Sequence, residues 1–170
     1  TGLGSLTAQA INNLDVFENL SFDSADGVFI AKYPGELGNS LKVSIVGSDS
    51  DNGGANNFSG WTYADEFDGA PGSSAFVTAL GGKNDEIHVA VIDEDGEITG
   101  TAGTVLETFP YLSVAKNAKA ADGTSNYYKD VLKIRSSWIY ATNQWTTGTT
   151  STTPAVTAVY SAPMGTASVT

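Results

Sequence analysis

The stretch Ile87-His88-Val89-Ala90-Val91-Ile92 (IHVAVI), followed at once by Asp93-Glu94-Asp95-Gly96, decides the class of fold. A short apolar run dominated by β-branched residues and closed by turn formers reads as a buried strand. A second strand-like stretch begins at Glu97, so the Asp-Gly dipeptide is flanked by runs that predict a β-hairpin over 87–109. His88 alternates with Ile87 and Val89 and therefore faces the side of the strand opposite to both.

Upstream, Leu41 to Val46 (LKVSIV) carries a further strand pattern. It is preceded by the apolar run Val28 to Tyr33, which Pro34-Gly35 and Gly38-Asn39 break into turns. The spacing of Leu6, Ala10, Ile11 and Leu14 predicts a short helix over 5–14 with Ser5 as its cap. Residues 48–60 (SDSDNGGANNFSG) read as loop, and 61–72 holds aromatic residues without a clean period, leaving room for one short strand. Residues 73–80 predict a short helix ended by Gly81-Gly82.

Downstream, 105–114 is rich in β-formers but contains Pro110, which places it at an edge or a bend. Tyr127, Tyr128, Val131, Leu132 and Arg135 predict a helix over 125–135 capped by Thr124 or Ser125, and 138–141 a short strand. From Thr142 the composition turns to Thr, Ser, Gly and Ala, with a strand expected over 156–160. The expectation is an α+β fold: a mixed β-sheet or sandwich core with a few short peripheral helices. A core domain spans 1–141, and an extended segment over 142–170 forms part of the same domain in a longer protein.

The length of 170 residues suits one domain. An apolar share of 41%, with 7 Phe, 7 Tyr and 3 Trp, supplies its core. The charged share is 16%, where about 25% is usual, so much of the polar surface is Ser, Thr, Asn and Gly. Such a surface packs against a neighbour without the desolvation of charges. The net charge of -11 opposes nucleic acid and anionic membranes, which are bound through clustered Lys and Arg. Cysteine is absent, so the fold uses no disulfide and can mature in a reducing compartment. No run approaches the length of a membrane span. The start at Thr1 without Met and the stop at Thr170 read as an excised piece of a longer polypeptide.

Each chemical reading of the residues has a plainer rival. His88 has no GxSxG elbow to serve, and is read as a structural or surface histidine. One His with carboxylates is a poor zinc set. Asp49 and Asp51 resemble the opening of a calcium loop, but its fifth and twelfth positions hold Gly53 and Gly60; Asp93-Glu94-Asp95-Gly96 brings its glycine too early. The pairs Asp65/Glu66 and Asp85/Glu86 are neighbours that an extended chain points to opposite faces. Gly53-Gly54 and Gly81-Gly82 lack the patterns that cradle phosphate. Tyr127, Tyr128 and Trp138 are expected as core or interface anchors ahead of sugar-stacking platforms.

Two segments are more distinctive than their composition. One is Ala31 to Val43 (AKYPGELGNSLKV). The other begins at Asn84, runs through Asp93-Glu94-Asp95-Gly96, Gly103-Thr104-Val105-Leu106-Glu107 and Lys116-Asn117-Ala118-Lys119, and ends in Asp122 to Val131 (DGTSNYYKDV). Both resemble the sheath protein of contractile bacteriophage tails, particularly of T-even-like phages. The resemblance covers most of 28–140 and excludes 48–72 and the tail after 142.

It implies a structural protein of the virion, assembled in the bacterial host cytoplasm. Subunits of this kind stack in a helical assembly around the tail tube and contract at the baseplate's signal. That contraction drives the tube through the host envelope for genome ejection. The implied partners are other sheath subunits, tail tube and baseplate; no nucleic acid or membrane is among them. No catalytic, cofactor-binding or metal-binding residue and no cofactor is carried over, so no enzyme is expected. Because the family links its subunits through terminal arms that this chain lacks, the chain alone is expected to be a soluble monomer. The alternatives are a sheath of a related contractile injection device and, from a different class, a carbohydrate-binding surface module. An enzyme is a distant third.

Overall fold

A computed structural model of the chain describes residues 18, 29–48, 58–142 and 160–163, the last four by their backbone. Among the described residues the strands are β1 (Phe29–Ala31), β2 (Leu41–Gly47), β3 (Glu86–Asp93), β4 (Thr104–Ser113), β5 (Ile139–Ala141) and β6 (Tyr160–Pro163). Among the described residues, the short helices α1 (Glu36–Asn39), α2 (Ala75–Ala79) and α3 (Tyr128–Arg135) stand between them, with a 3-10 turn at Ala64–Glu66. The larger sheet has the order β4-β3-β2-β6, and β1 pairs with β5 in a separate ribbon; all these pairs are antiparallel. The architecture is α+β, as the sequence implies.

The sheet is covered on both faces, which is why β3 is apolar almost throughout instead of alternating. On one side Val43 and Ile45 of β2, Ile87, Val89 and Val91 of β3, and Phe109 and Leu112 of β4 meet Tyr128, Val131 and Leu132 of α3. Phe29, Ala31, Ile139 and Ala141 of the ribbon close the same core. On the other side Val46, Ala90 and Ile92 lie under Trp61, with Phe58, Tyr63, Phe67 and Val105 around them. Trp61 is pinned there by its indole N–H, which donates to Ser44 Oγ at 2.8 Å.

The hairpin over β3 and β4 forms, but its second strand starts at Thr104, not at Glu97. The Asp-Gly pair does not make a tight turn because the Asp93 carboxylate winds the connection around itself. It accepts from the amides of Gly96, Ile98 and Thr99 and from the Thr99 hydroxyl, at 2.7–3.2 Å. Gly96 adopts φ 82, and a Cβ there would lie 2.7 Å from the Ala102 amide, so this turn admits only glycine. Pro110 sits on the edge strand β4 at a bulge, which satisfies both halves of the sequence expectation.

Other elements differ in their bounds. The helix expected over 125–135 begins at Tyr128; Tyr127 is its N-cap, with no side-chain capping bond. Neither Thr124 nor Ser125 caps it: the helix starts too far downstream, the Ser125 hydroxyl donates to Asp130 Oδ2 at 2.7 Å and accepts the Tyr127 amide at 3.3 Å, and the Thr124 hydroxyl donates to Asp122 Oδ1. No strand forms over 61–72; 3-10 and turn structure carries the aromatic cover instead. The helix over 73–80 is α2, capped by the Ser74 hydroxyl on the Val77 amide and ended where Gly81 takes φ 80. The helix expected over 5–14 and most of the 48–60 loop lie outside the described residues. Of the strand expected over 156–160 only Tyr160 is described, and it opens β6.

Candidate functional site

His88 is the natural starting point for any catalytic reading, and it is fully buried beneath the aromatic cover. Its ring stacks on Phe67 with centroids 4.5 Å apart and planes 3° apart. Tyr111 meets it edge-on at 4.6 Å. Both nitrogens are engaged: Nδ1 accepts the Tyr111 amide N–H at 3.0 Å, and Nε2 lies 2.8 Å from the Gly69 carbonyl. Burial pushes its pKa below the ordinary histidine value, while the Gly69 and Ile87 backbone and the Asp68 charge pull the other way. The ring holds the fold, and among the described residues no serine hydroxyl is bonded to it.

The two acidic pairs are separated. Asp65 and Glu66 lie in the 3-10 turn of the cover. Asp85 is fully buried between α2 and β4, where it accepts from the Ser74 amide and hydroxyl, both at 2.8 Å, and from the Ser113 hydroxyl. Glu86 accepts the Gly72 amide at 2.9 Å, and burial raises its carboxyl above the usual range. Asp93 is also fully buried. Burial acts to raise its pKa, but donors from Ser40, Thr99 and Ile98 outweigh it and hold the carboxyl at about 2. A carboxylate saturated by protein donors has no lone pairs left for a metal or a substrate proton. Among the described residues no group of three or more His, Asp or Glu side chains could hold a metal ion. Asp49 and Asp51 lie outside the described residues.

The first distinctive segment folds as a corner joint. Lys32 is buried, and its ammonium donates to the carbonyls of Lys133 (at 3.1 Å) and Ser136, the ones that the end of α3 leaves without helical partners. Its main-chain N–H bonds the Trp138 carbonyl at 2.7 Å, and Tyr33 packs edge-on to Trp138 at 5.6 Å. Burial lowers the Lys32 pKa, with the Glu107 charge opposing. Gly38 is obligatory, since a Cβ there would fall 2.2 Å from the Tyr33 carbonyl oxygen. Ser40 then donates to Asp93 Oδ1 at 2.7 Å, joining this corner to the β3–β4 connection.

The end of the second segment braces the same core through the residues that lead into α3. Asp122 accepts from the amide and hydroxyl of Thr124 around Gly123, which has φ 84. Asn126 gives its side-chain amide to the Tyr111 carbonyl at 3.0 Å and its main-chain carbonyl to the Ser113 amide at 2.9 Å. Tyr128 is fully buried, and Tyr127 and Trp138 pack against the same core, so the three aromatics are anchors of the fold.

Sequence reasoning passed over Lys32, Asp85 and Asp93 as the organising polar residues. The available signal was charge placed inside or directly beside apolar runs. Among the described residues no helix is long and apolar enough to cross a membrane.

No family model matches the chain. The chain is 32% identical over 125 residues to the tail sheath protein of Salmonella phage ViI, a match covering 74% of this chain. It spans only 17% of the length of that relative. The chain is thus a distant homologue of one part of a phage tail sheath protein, a likeness that does not single out the T-even-like group.

Proposed function

We propose that the chain is part of a structural subunit of a contractile phage tail sheath, of the T-even-like kind that the two distinctive segments resemble. The observation that carries this is the similarity over 125 residues to a protein named as a tail sheath protein. The geometry supports it: the polar residues of the two segments are used for internal bracing, as in a rigid unit that is repositioned whole and not reshaped. In the assembled virion other copies, the tail tube and the baseplate are its partners, and assembly takes place in the host cytoplasm. Motive energy resides in contacts remade between copies, with no catalytic residue or cofactor.

The region 1–141 is the core domain. The segment 142–170 belongs with it, a reading supported by the hydrogen bonding of β6 to β2. Separated from the remainder of such a subunit, the chain is a monomer.

Immunogold labelling of intact virions with antibody raised against the chain tests the assignment. Decoration along the tail shaft, in both extended and contracted particles, is expected. Label confined to the capsid, the baseplate or the fibres would refute it. A shaft that is decorated but never shortens would leave a sheath and remove the contractile part of the reading.

A further inference from the structure

The edge strand β4 buckles at one place opposite β3. Ile87 pairs with Leu112 and Val89 with Phe109, so Pro110 and Tyr111 together face His88. Pro110 brings no N–H to the ladder, and Tyr111 is held at φ 52, a left-handed conformation that is unfavourable for a bulky side chain. The N–H that this bulge turns out of the ladder is taken by His88 Nδ1, while Asn126 holds the Tyr111 carbonyl.

An amide N–H can only donate and a carbonyl oxygen can only accept. The neutral ring with its hydrogen on Nε2 is therefore the one protonation state that satisfies Tyr111 and Gly69 together. Turning the ring over does not help a charged histidine, because both of its nitrogens then donate and the Tyr111 amide has no acceptor.

We propose that His88 is a proton-operated latch: the neutral ring ties the aromatic cover over 58–72 to the bulge of β4, and a proton taken up at Nδ1 unties the two. The proton comes from solvent, and the bond lost is the Tyr111 N–H···Nδ1 hydrogen bond. A buried imidazolium whose Nδ1 lies 3.0 Å from the Tyr111 amide nitrogen, N–H facing N–H, is then relieved by displacement of the bulge and the cover.

The groups facing the ring from each packed element are few. The cover brings Asp68, with Asp65 and Glu66 further along it; β4 brings the Tyr111 phenol, which donates to Asp68 Oδ1 at 2.9 Å. On β3 itself Glu86 is turned to the Gly72 amide, and β2 places Val46 opposite. Asp68 favours the charged ring and burial opposes it, with burial the larger, so the latch stays closed until the solution is more acid than the ordinary histidine midpoint of 6.5. The release is local because the core on the opposite face, from Val43 to Leu132, contains neither His88 nor its partners.

The test is nuclear magnetic resonance on the labelled 170-residue chain and on His88→Gln, which keeps one donor and one acceptor but takes up no proton. Imidazole nitrogen shifts and amide hydrogen exchange are followed from about pH 7.5 to about pH 5. At the upper pH the shifts should report a neutral ring with hydrogen on Nε2. On acidification, protonation should bring roughly a tenfold loss of protection at the Tyr111 amide for each pH unit below the unfolded histidine value, with the Val43 and Val91 amides unchanged. The His88→Gln chain should show no such step.

The proposal fails if the ring charges while Tyr111 stays protected, or if it stays neutral until every amide is lost together. It fails equally if His88→Gln shows the same step. Should that variant not fold, the contrast between Tyr111 and Val43 in the unaltered chain decides alone.

Discussion

The ammonium of Lys32 lies 4.4 Å above the centroid of the Tyr140 ring. The same group ends α3 through the carbonyls of Lys133 and Ser136, so one side chain fastens the β1–β5 ribbon to the helix. Lys32→Met keeps the stem's packing and removes the charge. It should cost about 2–4 kcal/mol in urea unfolding, from the lost cation–π contact and the orphaned carbonyls. The control is Lys42→Met. Lys42 touches Glu94 at 3.4 Å in a partly exposed pair, and its loss should change stability by at most about 0.5 kcal/mol.

Glycine 38 offers a sharper contrast. Gly38→Ala drives a Cβ into the Tyr33 carbonyl at 2.2 Å and should cost more than about 3 kcal/mol or prevent folding. Gly60→Ala meets nothing within 4 Å and needs no left-handed backbone, so it should be neutral or stabilising by up to about 1 kcal/mol. Thermal denaturation of the two variants side by side checks the prediction.

Asp93 governs the acid limb of stability. Its carboxyl is held at about 2 in the folded chain against an ordinary 3.8. The folded state therefore releases this proton more readily than the unfolded one. The resulting stabilisation is complete above about pH 4 and is lost as pH falls from there towards about 2. Urea unfolding midpoints should decline across that window, and Asp93→Asn should flatten the decline while lowering stability at neutral pH.

Removing the Asp85 carboxylate strands the buried Ser74 and Ser113 hydroxyls and the Ser74 amide. Asp85→Ala should cost about 3–5 kcal/mol. Asp85→Asn, which retains one acceptor oxygen, should recover part of that loss. Hydrogen exchange at the Ser74 and Val77 amides should rise in both variants, because the cap of α2 is tied to the same acid.

How far the sequence disclosed these features follows the range of the forces involved. Strand β3, helix α2 with its stop at Gly81, and the edge position of Pro110 are set by neighbours along the chain, and local pattern found them. The face on which His88 lies was also legible from strand alternation. Its burial was not, because the cover over 58–72 has no period that marks it as packing. The partners of Lys32 lie 101 and 104 residues away, so nothing near Lys32 announces a helix end. The strand start expected at Glu97 failed for a related reason, although the hairpin itself forms. Ser40 joins the Asp93 carboxylate from a distance of 53 residues, and the wound connection depends on that gathering of donors.

The pairing of β6 with β2 bears on how the chain is made. Leu112 can meet Ile87 soon after both leave the ribosome, but Ile45 must wait for Tyr160 and Lys42 for Pro163. At the usual pace of about 5–20 residues per second, that border of β2 stays bare for several seconds of synthesis. Its unpaired main chain is then open to the matching strand of a neighbouring nascent copy on the same message. Slower translation over the Thr-rich stretch before Tyr160 would lengthen that interval and raise the yield of entangled chains.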